Sequence, residues 1–225
     1  MATRIADRNP QPKLRADAAR NRERIIAAAR EVLVEHGAEV SFDEIARRAG
    51  LGNATIYRHF ADRRELIRQV TVSVMARTAD QAEAARAEEP DAFQALRRFV
   101  HAAADERIGA LCPLLSDGVE RDHPDQVAAR ERLASAIEAL MTAARDTGQL
   151  RTDIDVGDLL VALTQLTRPL PGWGSRSTEA GEGCCLDFDR FVHRHLQLYL
   201  DGLMTPARSE LAGSAATLED LRRGL

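Results

Sequence analysis

The chain has 225 residues, 44% hydrophobic, 4% aromatic and 29% charged, with a formal net charge of −4. That apolar fraction is enough to build one or two cored domains, and no run approaches the ~18 apolar residues a membrane span needs. Three cysteines, Cys112, Cys184 and Cys185, cannot form a disulfide framework, which points to a reducing, cytoplasmic setting.

Alanine-rich runs and the scarcity of β-branched alternation favour helices throughout. Residues 1–17 carry prolines and arginines without an apolar segment and read as a loose tail. The first helix is predicted over about Asp17–His36, with Ile25, Ala28, Ala29, Val32 and Leu33 on one face and Gly37 as its stop. Ser41 and Glu44 form a capping-box pattern that opens a short helix through Ile45, Ala46 and Ala49. It stops at Gly50-Leu51-Gly52, and another short helix follows over Asn53–Phe60. Asp62 and Glu65 cap a longer one running to about Ala87.

Pro90 breaks the chain, and Asp91 opens a helix expected to reach Leu111, followed by a short helical piece at Pro113–Val119. Pro124 suits the start of a long helix striped by Leu133, Ile137, Leu140, Met141 and Ala144 and closed by Gly148. Asp155 caps a helix with Val156, Leu159, Leu160, Leu163 and Leu166. A loop is expected at 169–186, then a last long helix over about Leu186–Leu203, with Phe188, Phe191, Val192, His195, Leu198 and Tyr199 on one side. Residues 205–225 read as a mobile tail with one terminal turn from Thr217. The predicted fold is all-α, with about nine helices.

Charge is divided unevenly. Residues 1–70 hold 14 basic and 10 acidic side chains, and the rest is acidic. A basic end on an acidic body suits contact with a polyanion at that end, although a solvated basic helix face gives the same count. Over 42–60 the spacing is that of a helix-turn-helix. Ala46 sits where two helices cross closely, Gly50 sits at the turn, and Leu51 and Ile56 plug the joint. An ordinary αα-corner has the same packing needs, but here it is followed by Thr55, Tyr57, Arg58 and His59, a row of donors suited to phosphate oxygens.

Those residues carry a resemblance. Ile45-Ala46-Arg47-Arg48-Ala49-Gly50-Leu51, Thr55-Ile56-Tyr57-Arg58-His59-Phe60 and Arg63-Arg64-Glu65-Leu66 resemble the DNA-binding domain of the TetR family of bacterial transcriptional regulators, over residues 18–78. Gly52, Ala61, Arg63 and Arg64 depart from common family choices without threatening the fold. The resemblance implies a three-helix DNA-binding head and, over 79–204, an effector-binding and dimerisation bundle. Gly52, Asn53, Ala54 and Thr55 would face base edges, and Arg58 a guanine or a phosphate. Ser41, Tyr57, His59 and Arg63 would hold phosphates, with Arg48 beside them. Tyr57 has a second reading, partial burial beneath the head.

In the body, Arg97, His101, Asp105, Ile108 and Cys112 are spaced i, i+4, i+8, i+11 and i+15 and so fall on one helix face. With Val100, Ile137 and Met141 they outline an effector pocket for an unidentified small molecule. A solvated Arg–Asp face with one histidine is the simpler reading of the polar trio, and a metal site of His101, Asp105 and Cys112 is the weakest reading. His193 and His195 are two apart, diverge, and cannot share a metal. Homodimerisation through the last two long helices would use Leu159, Leu163, Leu166, Phe188, Phe191, His195, Leu198 and Tyr199. No enzyme motif and no cofactor signature is found. The alternative to a homodimeric repressor on palindromic duplex DNA, released by an effector, is a small-molecule-binding bundle without DNA activity.

Overall fold

The computed structural model describes residues 11–36, 40–107, 109, 111, 123–168 and 188–224. Ile108, all three cysteines, the piece expected at 113–119 and the loop expected at 169–186 lie outside the described residues. Within them the chain forms nine helices and no strand. It divides between Leu66 and Ile67 into two compact units.

In the first unit, α1 spans Gln11–His36, α2 Phe42–Ala49 and α3 Asn53–His59. Helix α1 begins six residues before the expected Asp17. Pro12 falls in its first turn, where a missing N–H costs nothing, and the following residues are good helix formers. Ile25, Ala28, Ala29, Val32 and Leu33 of α1 are buried, as are Ile45, Ala46 and Ala49 of α2, and Ile56 and Phe60 at α3. The stripe read from the sequence is therefore this unit's core. Half of the expected capping box forms. The Ser41 hydroxyl accepts from the Glu44 N–H at 3.2 Å, while the Glu44 carboxylate takes the Arg47 guanidinium rather than reaching back.

Helix α4, Arg63–Glu88, runs unbroken through the division point and is capped by Asp62, whose Oδ1 accepts from the Glu65 N–H at 2.9 Å. The second unit continues with α5 Ala92–Asp105, α6 Pro124–Asp146, α7 Val156–Leu166, α8 Phe188–Leu203 and α9 Leu218–Gly224. Its core gathers Phe93, Leu96, Phe99 and Val100 of α5, Ile137, Leu140, Met141 and Ala144 of α6, Val156, Leu159 and Leu163 of α7, and Val192, Leu196 and Leu200 of α8.

Three expectations are corrected here. Helix α5 ends at Asp105, not Leu111, because Arg107 adopts a left-handed φ of 58°. An unbroken row from Arg97 to Cys112 is thereby excluded. Leu159 and Leu163, assigned to a dimer interface, are buried in the chain's own core. The tail is also held. Arg151, itself buried and paired with Asp153, donates to the carbonyls of Gly202 and Ser209, and the Ala216 N–H donates to Asp158 Oδ1 at 3.1 Å. Leu218 of α9 packs on the core. A Cβ at Gly157 would meet the Ala216 carbonyl oxygen at 2.2 Å, so only glycine lets the arm lie this close. The arm's polar composition concealed anchors that lie far back in the sequence. Leu150 and Met204 pair as an isolated bridge, joining the ends of α6 and α8.

Candidate nucleic-acid interface

The turn between α2 and α3 decides how the second helix is presented. Gly50 closes α2 with φ 62° and ψ 38°, and the Leu51 N–H donates to the Ala46 carbonyl at 3.0 Å. A left-handed residue there is cheap only for glycine. Arg24 of α1 secures the corner by donating to the Ala49 carbonyl at 2.7 Å. This arginine, 25 residues away in sequence, carried no local signal. Asn53 donates to the Asp43 carboxylate, tying the first residue of α3 to the first turn of α2.

With Ile56 and Phe60 buried on one side, α3 turns Asn53, Ala54, Tyr57 and Arg58 to solvent, leaving Thr55 and His59 half-exposed. Tyr57 is 59% exposed, with its ring tilted 54° against Phe42 at 5.1 Å between centroids, which removes the reading that buries it beneath the head. Gly52 precedes α3 with no side-chain cap, and a Cβ there would meet nothing within 4 Å. Ser41 is exposed beside the start of α2, though its hydroxyl is occupied as a cap. Arg64 is exposed one turn beyond α3.

Two of the arginines expected at the DNA have structural duties. Arg48 donates to Glu35 at 2.8 Å and to Glu31 at 3.4 Å, pinning α2 to α1. The Arg48 hydrogen bonds hold the Glu35 carboxyl below the usual carboxylate range. Arg63 donates to the Val40 carbonyl. The side chains left for an anionic partner are thus those of Thr55, Tyr57, Arg58, His59 and Arg64, with the exposed Asn53 amide already donating to Asp43. Hydroxyl, phenol, imidazole and guanidinium donors on one short helix and the turn after it match the phosphate and base-edge acceptors of a duplex.

The residues assigned to an effector pocket differ in exposure. Val100, Ile137 and Met141 are fully buried in the closed core, and Arg97 is half-buried. His101 and Asp105 are brought together by a residue the sequence reading set aside, His193 of α8. The His101 and His193 Nδ1 atoms lie 2.8 Å apart, and His193 Nε2 lies 3.0 Å from Asp105 Oδ1. A second polar group lies along α4, with Glu106 and Thr78 buried and Arg77 exposed. Arg77 donates to Glu106 at 2.7 Å, Gln81 to the same carboxylate at 3.1 Å, and Thr78 is enclosed beside them. Among the described residues, Gln81 Oε1 and Gln126 Oε1 are buried with no hydrogen-bond partner. No group of metal-ligating side chains occurs among the described residues.

Of the residues assigned to dimerisation, Phe191 is 40% and Leu198 is 60% exposed, with Val161 of α7 also bare. His195 is exposed, its Nδ1 2.7 Å from the Phe191 carbonyl oxygen. Leu166 is partly buried against the core, and Tyr199 is half-buried, donating to the Asp158 carbonyl at 3.3 Å. Phe188 opens α8, and its side chain lies outside the described ones.

The family model described as bacterial regulatory proteins, tetR family, matches residues 25–70. An HTH-type transcriptional regulator of Staphylococcus aureus (strain USA300) is 43% identical over 54 residues, which are 24% of this chain and 29% of that protein. The chain therefore matches under a third of the length of its curated relatives. Solved structures extend the likeness. A TetR transcriptional regulator from Streptomyces coelicolor is 31% identical, covering 83% of this chain and 99% of its own, with a TM-score of 0.60. A TetR transcription regulatory protein from Mycobacterium vanbaalenii is 28% identical over 85% of this chain and 99% of its own, also with a TM-score of 0.60. Helix-turn-helix geometry, an all-α body and similarity spanning both units agree, and the chain belongs to the TetR family of transcriptional regulators, with a helix-turn-helix DNA-binding domain.

Proposed function

We propose that this regulator is a repressor that binds a palindromic operator as a homodimer and leaves it when a small molecule binds the second unit. The observation that carries the DNA reading is α3, which presents Asn53, Tyr57 and Arg58 to solvent while Ile56 and Phe60 anchor it. Two such helices enter successive major grooves when their centres are ~34–36 Å apart or a multiple of it. The homodimer reading is supported by Val161, Phe191 and Leu198, large apolar side chains exposed on α7 and α8. Paired across a two-fold axis, they would bury a four-helix seam.

An effector acts only through differential affinity for the DNA-bound and released states. Helix α4 supports its role as the transmitting element, because it runs without a break from Arg63, next to the recognition helix in sequence, to Glu88. The unpaired oxygens of Gln81 and Gln126 favour an effector with hydrogen-bond donors seated against this helix. The decisive experiment is a fluorescence anisotropy titration with the duplex that flanks the protein's own gene. Saturable binding that requires residues 41–64 supports the reading. Equal affinity for scrambled duplex leaves the helical bundle without specific DNA activity.

A further inference from the structure

The contact between α5 and α8 is built around two imidazoles. His101 and His193 stack at 5.1 Å between centroids and 28° between planes, with their Nδ1 atoms 2.8 Å apart. Asp105, a carboxylate, can only accept, so the proton at the 3.0 Å contact sits on His193 Nε2. That leaves His193 Nδ1 as a bare lone pair, and the short Nδ1–Nδ1 contact then requires His101 to donate. The neutral pair therefore has one arrangement that satisfies both the ring–ring and the ring–carboxylate contact. It fixes the tautomer of both rings and joins α8 to α5 through two hydrogen bonds beside the apolar contacts of the core.

Proton uptake disturbs this arrangement in two steps. The free position on His101 is Nε2, and the neighbouring acceptor is Gln197 Oε1, which is buried and without a hydrogen-bond partner among the described residues. The Gln197 amide nitrogen is already committed to Asp201 at 2.6 Å. A further proton must go to His193 Nδ1, where it would set two N–H donors against each other at hydrogen-bond distance. Like charges in contact and two donors without an acceptor then push the rings apart.

We propose that His101, His193 and Asp105 form an acid-released clamp that holds α8 on α5 when the rings share one hydrogen and lets go when both are charged. Burial, and secondly the facing His193, lower the affinity of His101 for its proton, while Gln197 and Asp105 oppose that and Arg97 adds to it. Among the described side chains, those are the groups on α5 and α8 that act on the ring. The faces of α6 and α7 that enter the same core are apolar, with Ile137, Leu140, Met141, Leu159 and Leu163. The sign follows. With its folded proton affinity depressed, His101 binds fewer protons than the unfolded chain just below pH ~6.5, so stability is full above that pH and falls as pH drops through this window.

The clamp is independent of the DNA and effector readings and is tested on the full chain by imidazole NMR titration and thermal unfolding between pH 8.0 and 5.0. His101 is expected to titrate below an ordinary histidine and to move up in His193→Gln, where the facing ring is gone. The thermal midpoint of the native protein is expected to fall more steeply on acidification than that of His101→Gln. If His101→Gln does not fold, Asp105→Asn at the solvent-exposed rim serves instead. Losing that carboxylate is expected to move the His101 titration further down. An ordinary His101 titration that neither variant moves, or parallel midpoint curves in native protein and His101→Gln, overturns the proposal.

Discussion

The two units treat their polar side chains differently. In the first, Arg24, Arg48 and Arg63 lock the framework, while Tyr57, Arg58 and Arg64 are left to solvent on and beyond α3. In the second, polar groups turn toward one another. Arg77 and Gln81 meet Glu106, His101 meets His193, and Arg151 meets Asp153 and the returning arm. The lesson is that exposure of a donor on a well-anchored helix marks a contact surface, whereas a polar group satisfied inside marks a joint. A partner molecule is read from the first and a moving part from the second.

The largest expected effect tests how α7 is divided between core and surface. Leu163→Asp places a charge at a fully buried site and is expected to cost more than about 4 kcal/mol in denaturant unfolding. Leu198→Asp, on the bare face of α8, should leave unfolding almost unchanged and shift sedimentation from dimer to monomer. Similar stability losses from both would erase the distinction.

Next comes the recognition face. Arg58→Ala is expected to cost about 1–3 kcal/mol of operator binding and to relax sequence preference. Arg64→Ala should weaken all duplexes alike and reduce the salt slope by ~1 unit, as expected for a phosphate contact. Anisotropy titrations on specific and scrambled duplex at two salt concentrations separate them. A smaller effect is expected in the body. Gly157→Ala forces the arm away from α7 and should cost about 1–3 kcal/mol, read by unfolding, with DNA affinity retained. The smallest is Gly52→Ser. It supplies the missing cap of α3 in open space and is expected to gain a few tenths of a kcal/mol.

Sequence alone carried the head well because its determinants are local. The Ser41 cap, the close crossing at Ala46, the left-handed Gly50 and the Ile56 plug all fall within sixteen residues and each obeys a short-range rule. What it missed there is long-range, as with Arg24 reaching the end of α2 from α1. In the body the stripes of α5, α6 and α7 were legible, yet their destination was not. An apolar face has the same periodicity whether it packs on its own chain, as Leu159 does, or remains bare, as Leu198 does. Arg107 ended α5 early with a left-handed turn that its residue type does not announce. His193 was set aside because divergence from His195 was judged along one helix, while its partner stood on another.

The returning arm also sets the order in which the chain can complete itself during synthesis. The bonds from Arg151 to Ser209 and from Ala216 to Asp158 each join groups 58 residues apart. At elongation rates of ~5–20 residues per second, the α6–α7 corner waits roughly 3–12 s for its last partners to be made. The first unit ends at Leu66 and contains neither of these bonds. A nascent chain therefore holds a finished recognition helix well before its second unit is sealed.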